Sequence, residues 1–160
     1  LISDPERSSM DYILRNAILD GPFGLPLLKP PWGWISALDM NTGKLLWQRP
    51  NSRTPREIQE HLLLAGVAIP DTGNDDRSAL LVTKTLLFSG EGAGMYGARW
   101  GGSLFRAHDK RSGKVVAEIE LGQRQTGVPM TYAIGGQQYI VVATGAPGEA
   151  GQLVALTVSP

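Results

Sequence analysis

No cysteine occurs in this sequence, which excludes disulfides and thiolate chemistry but leaves the compartment open. An excess of either charge is missing too. Its 15 basic and 15 acidic residues cancel, and no Lys/Arg cluster of the kind that tracks a phosphate backbone appears, which argues against nucleic acid as a partner. The longest apolar runs, residues 79–82 and 139–143, are far too short to span a bilayer. Histidine is scarce: His61 and His108 have no ligand-spaced neighbours, so metal binding through them is not expected. A nucleophile elbow and a zinc motif are lacking. Gly90-Glu91-Gly92-Ala93-Gly94 has neither the strand-to-helix switch nor the lysine of a phosphate cradle. No leader peptide opens the chain, and its start at Leu1 suggests a processed or excerpted sequence. What is plentiful is glycine, 20 residues, and proline, 11, beside only 19% charged residues, a mixture that favours short strands and many turns.

Residues 1–33 show no sustained period. Met10 to Leu19 suits a short helix, but Gly21, Pro22, Gly24, Pro26, Pro30 and Pro31 then break the chain into an irregular lead-in. From Trp34 the pattern sharpens: WISAL reads as a strand, Asp39-Met40-Asn41-Thr42-Gly43 as a tight turn and KLLW as the returning strand. Asp39 can accept from the turn's own amides, and Gly43 supplies positive φ. Thr54-Pro55-Arg56-Glu57 reads as a capping box and predicts a helix of about three turns inserted over 55–65. Ile58, Leu62 and Ala65 then share a face, and Gly66 ends it. Strand signals return in ALLVT (79–83), LLFS (86–89), 103–108 and 114–121, the last alternating like a half-solvated outer strand. Three more lie within 130–158.

Two of these hairpins are versions of one unit. ISALDMNTGKLLW (35–47) and FRAHDKRSGKVVA (105–117) share Ala-x-Asp-x-x-Ser/Thr-Gly-Lys followed by two aliphatic residues, with the aspartates 70 residues apart. A hairpin repeated with a fixed Asp…Gly turn signals stacked sheets, because one four-stranded unit cannot bury both of its faces alone. The strand count is two, then four, then three, so only the middle set is a complete blade. The fold class is therefore all-β: a partial β-propeller, about two blades of antiparallel sheet over residues 34–160, with one inserted short helix. An open β-sandwich of nine strands is the plainer alternative. Tyr132 and Tyr139 suit cross-strand packing.

Four stretches carry a resemblance: GLPLLKPPWGWISALDMNTGKLLWQ (24–48), LLVTKTLLFSGEG (80–92), GVPMTYAIGGQQYIVVATG (127–145) and LVAL (153–156). In this order they resemble the C-terminal portion of quinoprotein dehydrogenases that use pyrroloquinoline quinone (PQQ), the glucose or sugar dehydrogenase type with an eight-bladed propeller. The resemblance implies an oxidoreductase acting on a sugar or alcohol hydroxyl. It implies PQQ held with calcium on the propeller axis, electrons passed to quinone or another acceptor, and a periplasmic position, with any membrane attachment through an upstream segment. The cofactor carries the redox chemistry in such enzymes. The family's metal ligands and catalytic aspartate belong to earlier blades, so no catalytic or metal residue is assigned here, and this chain alone is expected to be inactive. Its partners would be the remaining blades, a small sugar or alcohol, and the electron acceptor.

The same resemblance brings the loop containing Asp75, Asp76 and Arg77 toward the quinone, and makes these three the candidate cofactor-binding residues. Asp75 stands where sugar dehydrogenases have an asparagine, and Arg77 suits a PQQ carboxylate through its planar fork. Two acids beside a tri-acidic cofactor require an offsetting metal or cation. The plain alternative is a solvated charged loop. Trp100 and Arg99 lie in a glycine-rich loop, where Trp100 is expected to pack over a blade edge or a neighbouring loop. In PQQ-type repeats a tryptophan at the place of Trp47 looks like a docking residue, burying its ring between adjacent blades and giving its indole N–H to a carbonyl; with Ala117 at that place in the second repeat, the matching contact is expected to be weaker or filled differently. Two other functional readings fit the residues: a non-catalytic PQQ-like propeller serving as a scaffold or protein-binding module, and a stand-alone structural product.

Overall fold

The computed structural model describes residues 6, 9, 21–75, 79–91, 100–146 and 148–157. Three antiparallel sheets follow one another along the chain. The first is a hairpin of β1 (Trp34–Leu38) and β2 (Leu45–Pro50). After a connecting segment containing α1 (Arg56–Gln59), the second sheet runs in sequence order through β3 (Leu81–Val82), β4 (Leu86–Gly90), β5 (Leu104–Asp109) and β6 (Val115–Glu120). The third holds β7 (Arg124–Gln125), β8 (Met130–Ile134), β9 (Gln137–Gly145) and β10 (Gln152–Thr157). Its two first strands share one side of β9. Arg124 and Gln125 face Gly145 and Thr144, while Met130–Ile134 face residues 141 back to 137. They act as one interrupted strand, so the sheet is three columns wide, as expected from the sequence, although β7 itself is not legible there. The arrangement is a partial propeller: half a sheet, a full four-stranded blade, and three columns of another.

The two repeat hairpins match in detail. Asp39 Oδ1 accepts from the backbone N–H groups of Asn41 (2.8 Å) and Thr42 (3.2 Å); Asp109 Oδ1 does the same for Arg111 (3.1 Å) and Ser112 (2.8 Å). Gly43 and Gly113 close the turns at φ 67 and φ 68, a left-handed conformation that favours glycine. Both pairings slip by one residue at the same place, between Ala37 and Leu38 in one and between Ala107 and His108 in the other.

The core lies between sheets. Ile35, Trp47 and Leu87 form a buried cluster with Ala37 against it. The Trp47 ring crosses to the second hairpin, where its indole N–H donates to Lys110 O at 3.0 Å. It also lies so close to Gly113 that a Cβ there would meet the ring at 2.6 Å. Trp47 is thus the inter-sheet docking residue its position in the repeat predicts, and Ala117 is exposed. Tyr132 and Tyr139 face each other across β8 and β9 with rings stacked 5.3 Å apart. Gln125, 2% exposed, ties the third sheet to the entry of the second by donating to Ala79 O at 2.9 Å.

Two expectations fail. The inserted helix is a single turn, and Thr54 does not cap it; the Thr54 hydroxyl is buried and donates instead to Pro70 O at 2.8 Å. His61 then adopts an extended backbone, with Nδ1 accepting from Leu63 N–H at 3.2 Å and Nε2 at 3.1 Å from Phe23 O. A short 3₁₀ turn, Leu62–Leu64, replaces the second and third turns, and Leu62 is left exposed. Tertiary hydrogen bonds outcompete the local capping signal. β6 does not alternate in burial either, since all six of its residues are exposed.

Candidate functional site

Three separate segments meet beside the entry to the second sheet. Trp32 N–H donates to Thr72 O at 2.8 Å, Asn51 N–H to Gly33 O at 3.2 Å, and Gly73 N–H to Ser52 O at 3.1 Å. The side chain of Asn51 completes the junction: its Oδ1 accepts from Asn74 N–H at 2.9 Å, while Nδ2 donates to Asn74 O at 3.3 Å and Asn74 Oδ1 at 3.4 Å. Thr72 and Asn74 are 1% and 4% exposed. From this buried junction the chain emerges at Asp75, which is exposed and whose Oδ1 accepts from Trp100 N–H at 3.4 Å. Trp100 is buried and packs on Trp32, the ring centroids 5.3 Å apart at 50°. Of the three sequence-predicted cofactor residues, the structure places Asp75 at this rim; Asp76 and Arg77, like Arg99, lie outside the described residues. Trp100 covers a neighbouring loop, as expected.

A second cluster was not foreseen. Arg106, 3% exposed at the centre of β5, pairs through Nε with Glu118 Oε1 at 2.7 Å and through Nη1 with Glu91 Oε1 at 2.5 Å. Glu118 also accepts from Arg53 Nη2 at 2.6 Å. Buried Arg106 is thereby matched by buried Glu91 and by the exposed Glu118, which Arg53 also contacts from solvent, and such pairing makes a charge inside a protein tolerable. The Arg106 hydrogen bond, with Arg53 behind it, holds the Glu118 carboxyl below its ordinary value. The signal for this cluster is present in the repeat: aligning the hairpins sets Arg106 opposite Glu118, where the first has Ser36 opposite Gln48.

Two grooves flank this network. One, about 470 Å³, runs between residues 50–53 and the face of β5 and β6 that carries Arg106, His108 and Glu118. The other, about 320 Å³, lies between the α1 segment and Asn74, Glu91, Trp100 and Gly102. His108 is itself sealed in the sheet. Its Nδ1 meets Gly113 O at 3.3 Å, which can only accept, so Nδ1 carries the proton and Nε2 accepts from the Ser89 hydroxyl at 2.9 Å. Burial pushes its pKa down and keeps it neutral. It braces the second turn.

A tricarboxylate quinone such as PQQ needs cations or free N–H donors along one edge. Around Asp75 the described residues offer a carboxylate, two indoles packed against each other, and amides already bonded within the Asn51 junction. Arg106 is paired through Nη1 and Nε with Glu91 and Glu118, and its Nη2, without a hydrogen-bond partner, is buried. The described residues therefore do not form a PQQ site by themselves. Among them, no group of three or more potential metal ligands is found either.

The model of a family described as PQQ: glucose/ethanol/alcohol dehydrogenase, β-propeller domain, matches residues 3–140. The chain is 29% identical over 134 residues, 81% of its length, to the quinoprotein glucose dehydrogenase of Escherichia coli (strain K12), of which this covers 15%. It is 33% identical over 123 residues, 76% of its length, to the glycerol dehydrogenase large subunit of Gluconobacter thailandicus, again covering 15% of that protein. A probable quinate dehydrogenase (quinone) of Xanthomonas campestris pv. juglandis is 28% identical over 147 residues, 88% of this chain and 17% of the relative. The chain thus spans about 15% of the length of the first two relatives.

Proposed function

The chain belongs to the glucose/ethanol/alcohol dehydrogenase β-propeller family of quinoproteins, and from that membership we propose that it supplies C-terminal blades to a PQQ-dependent oxidoreductase. The enzyme oxidises a sugar or alcohol hydroxyl and passes the electrons to quinone or another acceptor. The observation that carries this reading is the family match over residues 3–140, which takes in the first two sheets and reaches into the third. Relatives named for glucose, glycerol and quinate support the same class of substrate, a small polyol or hydroxy acid.

In this reading the remaining blades come from the rest of a longer polypeptide, and they complete the cofactor site. Exposed apolar side chains on the two outer sheets, among them Leu38, Leu45 and Leu46 on the first and Met130, Ile134 and Leu153 on the third, give those blades surfaces to cover. Asp75 borders the cofactor mouth, and Asp76 and Arg77, next in the sequence, remain the other candidate cofactor-binding residues. PQQ supplies the redox chemistry, and calcium accompanies it in the complete enzyme. The protein works on the periplasmic side, with any attachment to the inner membrane provided upstream.

The test is reconstitution. The longest natural polypeptide carrying this sequence is purified without cofactor, titrated with PQQ and calcium, and assayed by dye reduction with sugars and alcohols, beside the 160-residue chain alone. Cofactor binding and turnover by the longer polypeptide only are expected. A longer polypeptide that folds but neither binds PQQ nor turns over any of these substrates would replace the enzyme with a non-catalytic propeller scaffold.

A further inference from the structure

We propose that two uncharged loops, residues 21–28 and 61–70, form a lipid-docking surface through which the protein rests on a bilayer, in addition to any attachment upstream. The proposal takes its purpose from the reading above. An enzyme that hands electrons to quinone has to reach the lipid phase in which such acceptors dissolve.

The two runs read GPFGLPLL and HLLLAGVAIP, without one Asp, Glu, Lys or Arg between them. Their apolar side chains are turned to solvent: Leu62 is 89% exposed, Phe23 79% and Leu28 75%, and Leu27, Leu63 and Val67 are each more than half exposed. His61 ties the runs together, its Nε2 donating to Phe23 O at 3.1 Å while Nδ1 accepts from Leu63 N–H at 3.2 Å. Phe23 meets that bond at φ 60, a left-handed conformation uncommon outside glycine, with its ring left in solvent. Single exposed apolar residues are ordinary. Six on two joined loops make a patch of the kind that marks an interaction site.

Three observations fit a lipid surface. The longer loop is closed at its base, where the Thr54 hydroxyl donates to Pro70 O at 2.8 Å and Gly73 N–H to Ser52 O at 3.1 Å, while its tip, residues 62–67, is exposed at every position but Leu64. Within the tip the backbone is already bonded. Besides Leu63, Leu64 N–H donates to His61 O at 2.8 Å, Ala65 N–H to Leu62 O at 3.3 Å and Val67 N–H to Leu64 O at 3.0 Å. Such a turn can enter an apolar phase without stranding those donors there. Tryptophan, tyrosine and arginine, which anchor protein interfaces, are missing from both runs. Charge returns only at the margins: Lys29, beside Leu28, suits anionic headgroups, and Arg56, Glu57, Glu60 and Asp71 lie toward the base, Arg56 paired with Glu60 at 2.7 Å.

The experiment labels the tip in the longest polypeptide carrying this sequence. Leu62→Cys takes the environment-sensitive fluorophore NBD, any cysteine elsewhere being replaced by serine, and Val67→Cys stands in should Leu62→Cys fail to fold. Met40→Cys, in the exposed turn at the opposite end of the first hairpin, is the control. Emission is read before and after addition of vesicles of phosphatidylethanolamine and phosphatidylglycerol, and dye reduction with PQQ, calcium and sugar or alcohol is assayed on the same protein. We expect the Leu62 label to shift to the blue and to be quenched by lipids brominated on their acyl chains, the Met40 label to do neither, and Leu63→Asp to abolish the shift at unchanged dye reduction. No shift at Leu62, or an equal shift at Met40, in protein that still reduces dye overturns the docking surface and leaves the enzyme reading standing. A Leu62 label already blue-shifted without vesicles overturns it too: a shift lost on dilution assigns the patch to a second copy, and one that persists assigns it to the rest of the polypeptide. Folded protein that shifts at Leu62 but never reduces dye keeps the lipid surface and removes the enzyme reading.

Discussion

The hairpins β1–β2 and β5–β6 share a turn, a bulge and a strand register, yet the same positions do different work in each. Opposite one another in the first stand Ser36 and Gln48, exposed and joined by a neutral hydrogen bond of 2.8 Å. In the second, the equivalent pair is Arg106 and Glu118, with Arg106 buried and Glu91 on its far side. Leu38 is exposed, whereas His108 is sealed against Ser89. The difference arises behind the hairpins. β5 has β4 and β3 at its back, while among the described residues β1 pairs only with β2. A strand interior within a four-stranded sheet can host a charge if the sheet supplies its partners; an edge hairpin leaves such a position to solvent.

The sharpest way to break the comparison is at the contact that joins the two hairpins. Trp47→Ala empties the inter-sheet core and removes the bond to Lys110 O, for an expected loss of about 3 kcal/mol in chemical denaturation. The same substitution should make the turns equivalent. Gly113→Ala should cost more than Gly43→Ala in the wild type, because only Gly113 faces the indole, and the excess should disappear when Trp47 is alanine.

A loss nearly as large is expected from Arg106→Met, which strands Glu91 in a buried site and should cost about 3 kcal/mol. Ser36→Ala, at the matching place in the first hairpin, should cost less than about 1 kcal/mol by the same denaturation measurement, since its partner Gln48 is exposed. Equal losses would show that the network around Arg106 adds nothing beyond a cross-strand pair.

The smallest effect separates the hairpins by pH. His108 has a folded pKa below its ordinary 6.5, so the unfolded chain binds a proton first. The stability it contributes is present above pH 6.5 and falls as the pH drops below that value. Glu118 is also depressed from 4.5, chiefly by Arg106, and its contribution is lost at still lower pH as the folded carboxyl protonates. Leu38 and Gln48 occupy these places in the first hairpin and do not titrate. Denaturation midpoints between pH 8 and pH 5 should therefore fall in the wild type and fall less in His108→Gln; identical slopes would remove His108 from the account.

Much of this architecture is legible in the residues because it is local or repeated. An aspartate four residues before a glycine dictates the turn in both hairpins, whatever surrounds it. Trp47 announces its burial by size, and the facing tyrosines announce their cross-strand stacking by register. The one-turn helix shows where such reading stops: Thr54-Pro55-Arg56-Glu57 has every local feature of a cap, yet Pro70 takes the hydroxyl. Likewise β7 is two residues long and exists because Gly145 and Thr144 on β9 receive it. Asn51 follows Pro50 and looks like any polar loop residue until the fold brings Asn74 beside it. Asp75 reads in the sequence as one residue of a charged loop, and the fold alone sets it at an exposed rim with Trp100 N–H on its carboxylate.

The sequence by itself determined the hairpins, their turns, the docking tryptophan and the quinoprotein family, since each is written in a short pattern of hydrogen-bonding and apolar side chains. Only the tertiary structure decided that Arg106 meets Glu91 and that Asn51 grips Asn74. Those contacts join residues 15 and 23 positions apart, from different segments, and no local spacing encodes a partner that long-range packing alone brings within hydrogen-bond reach.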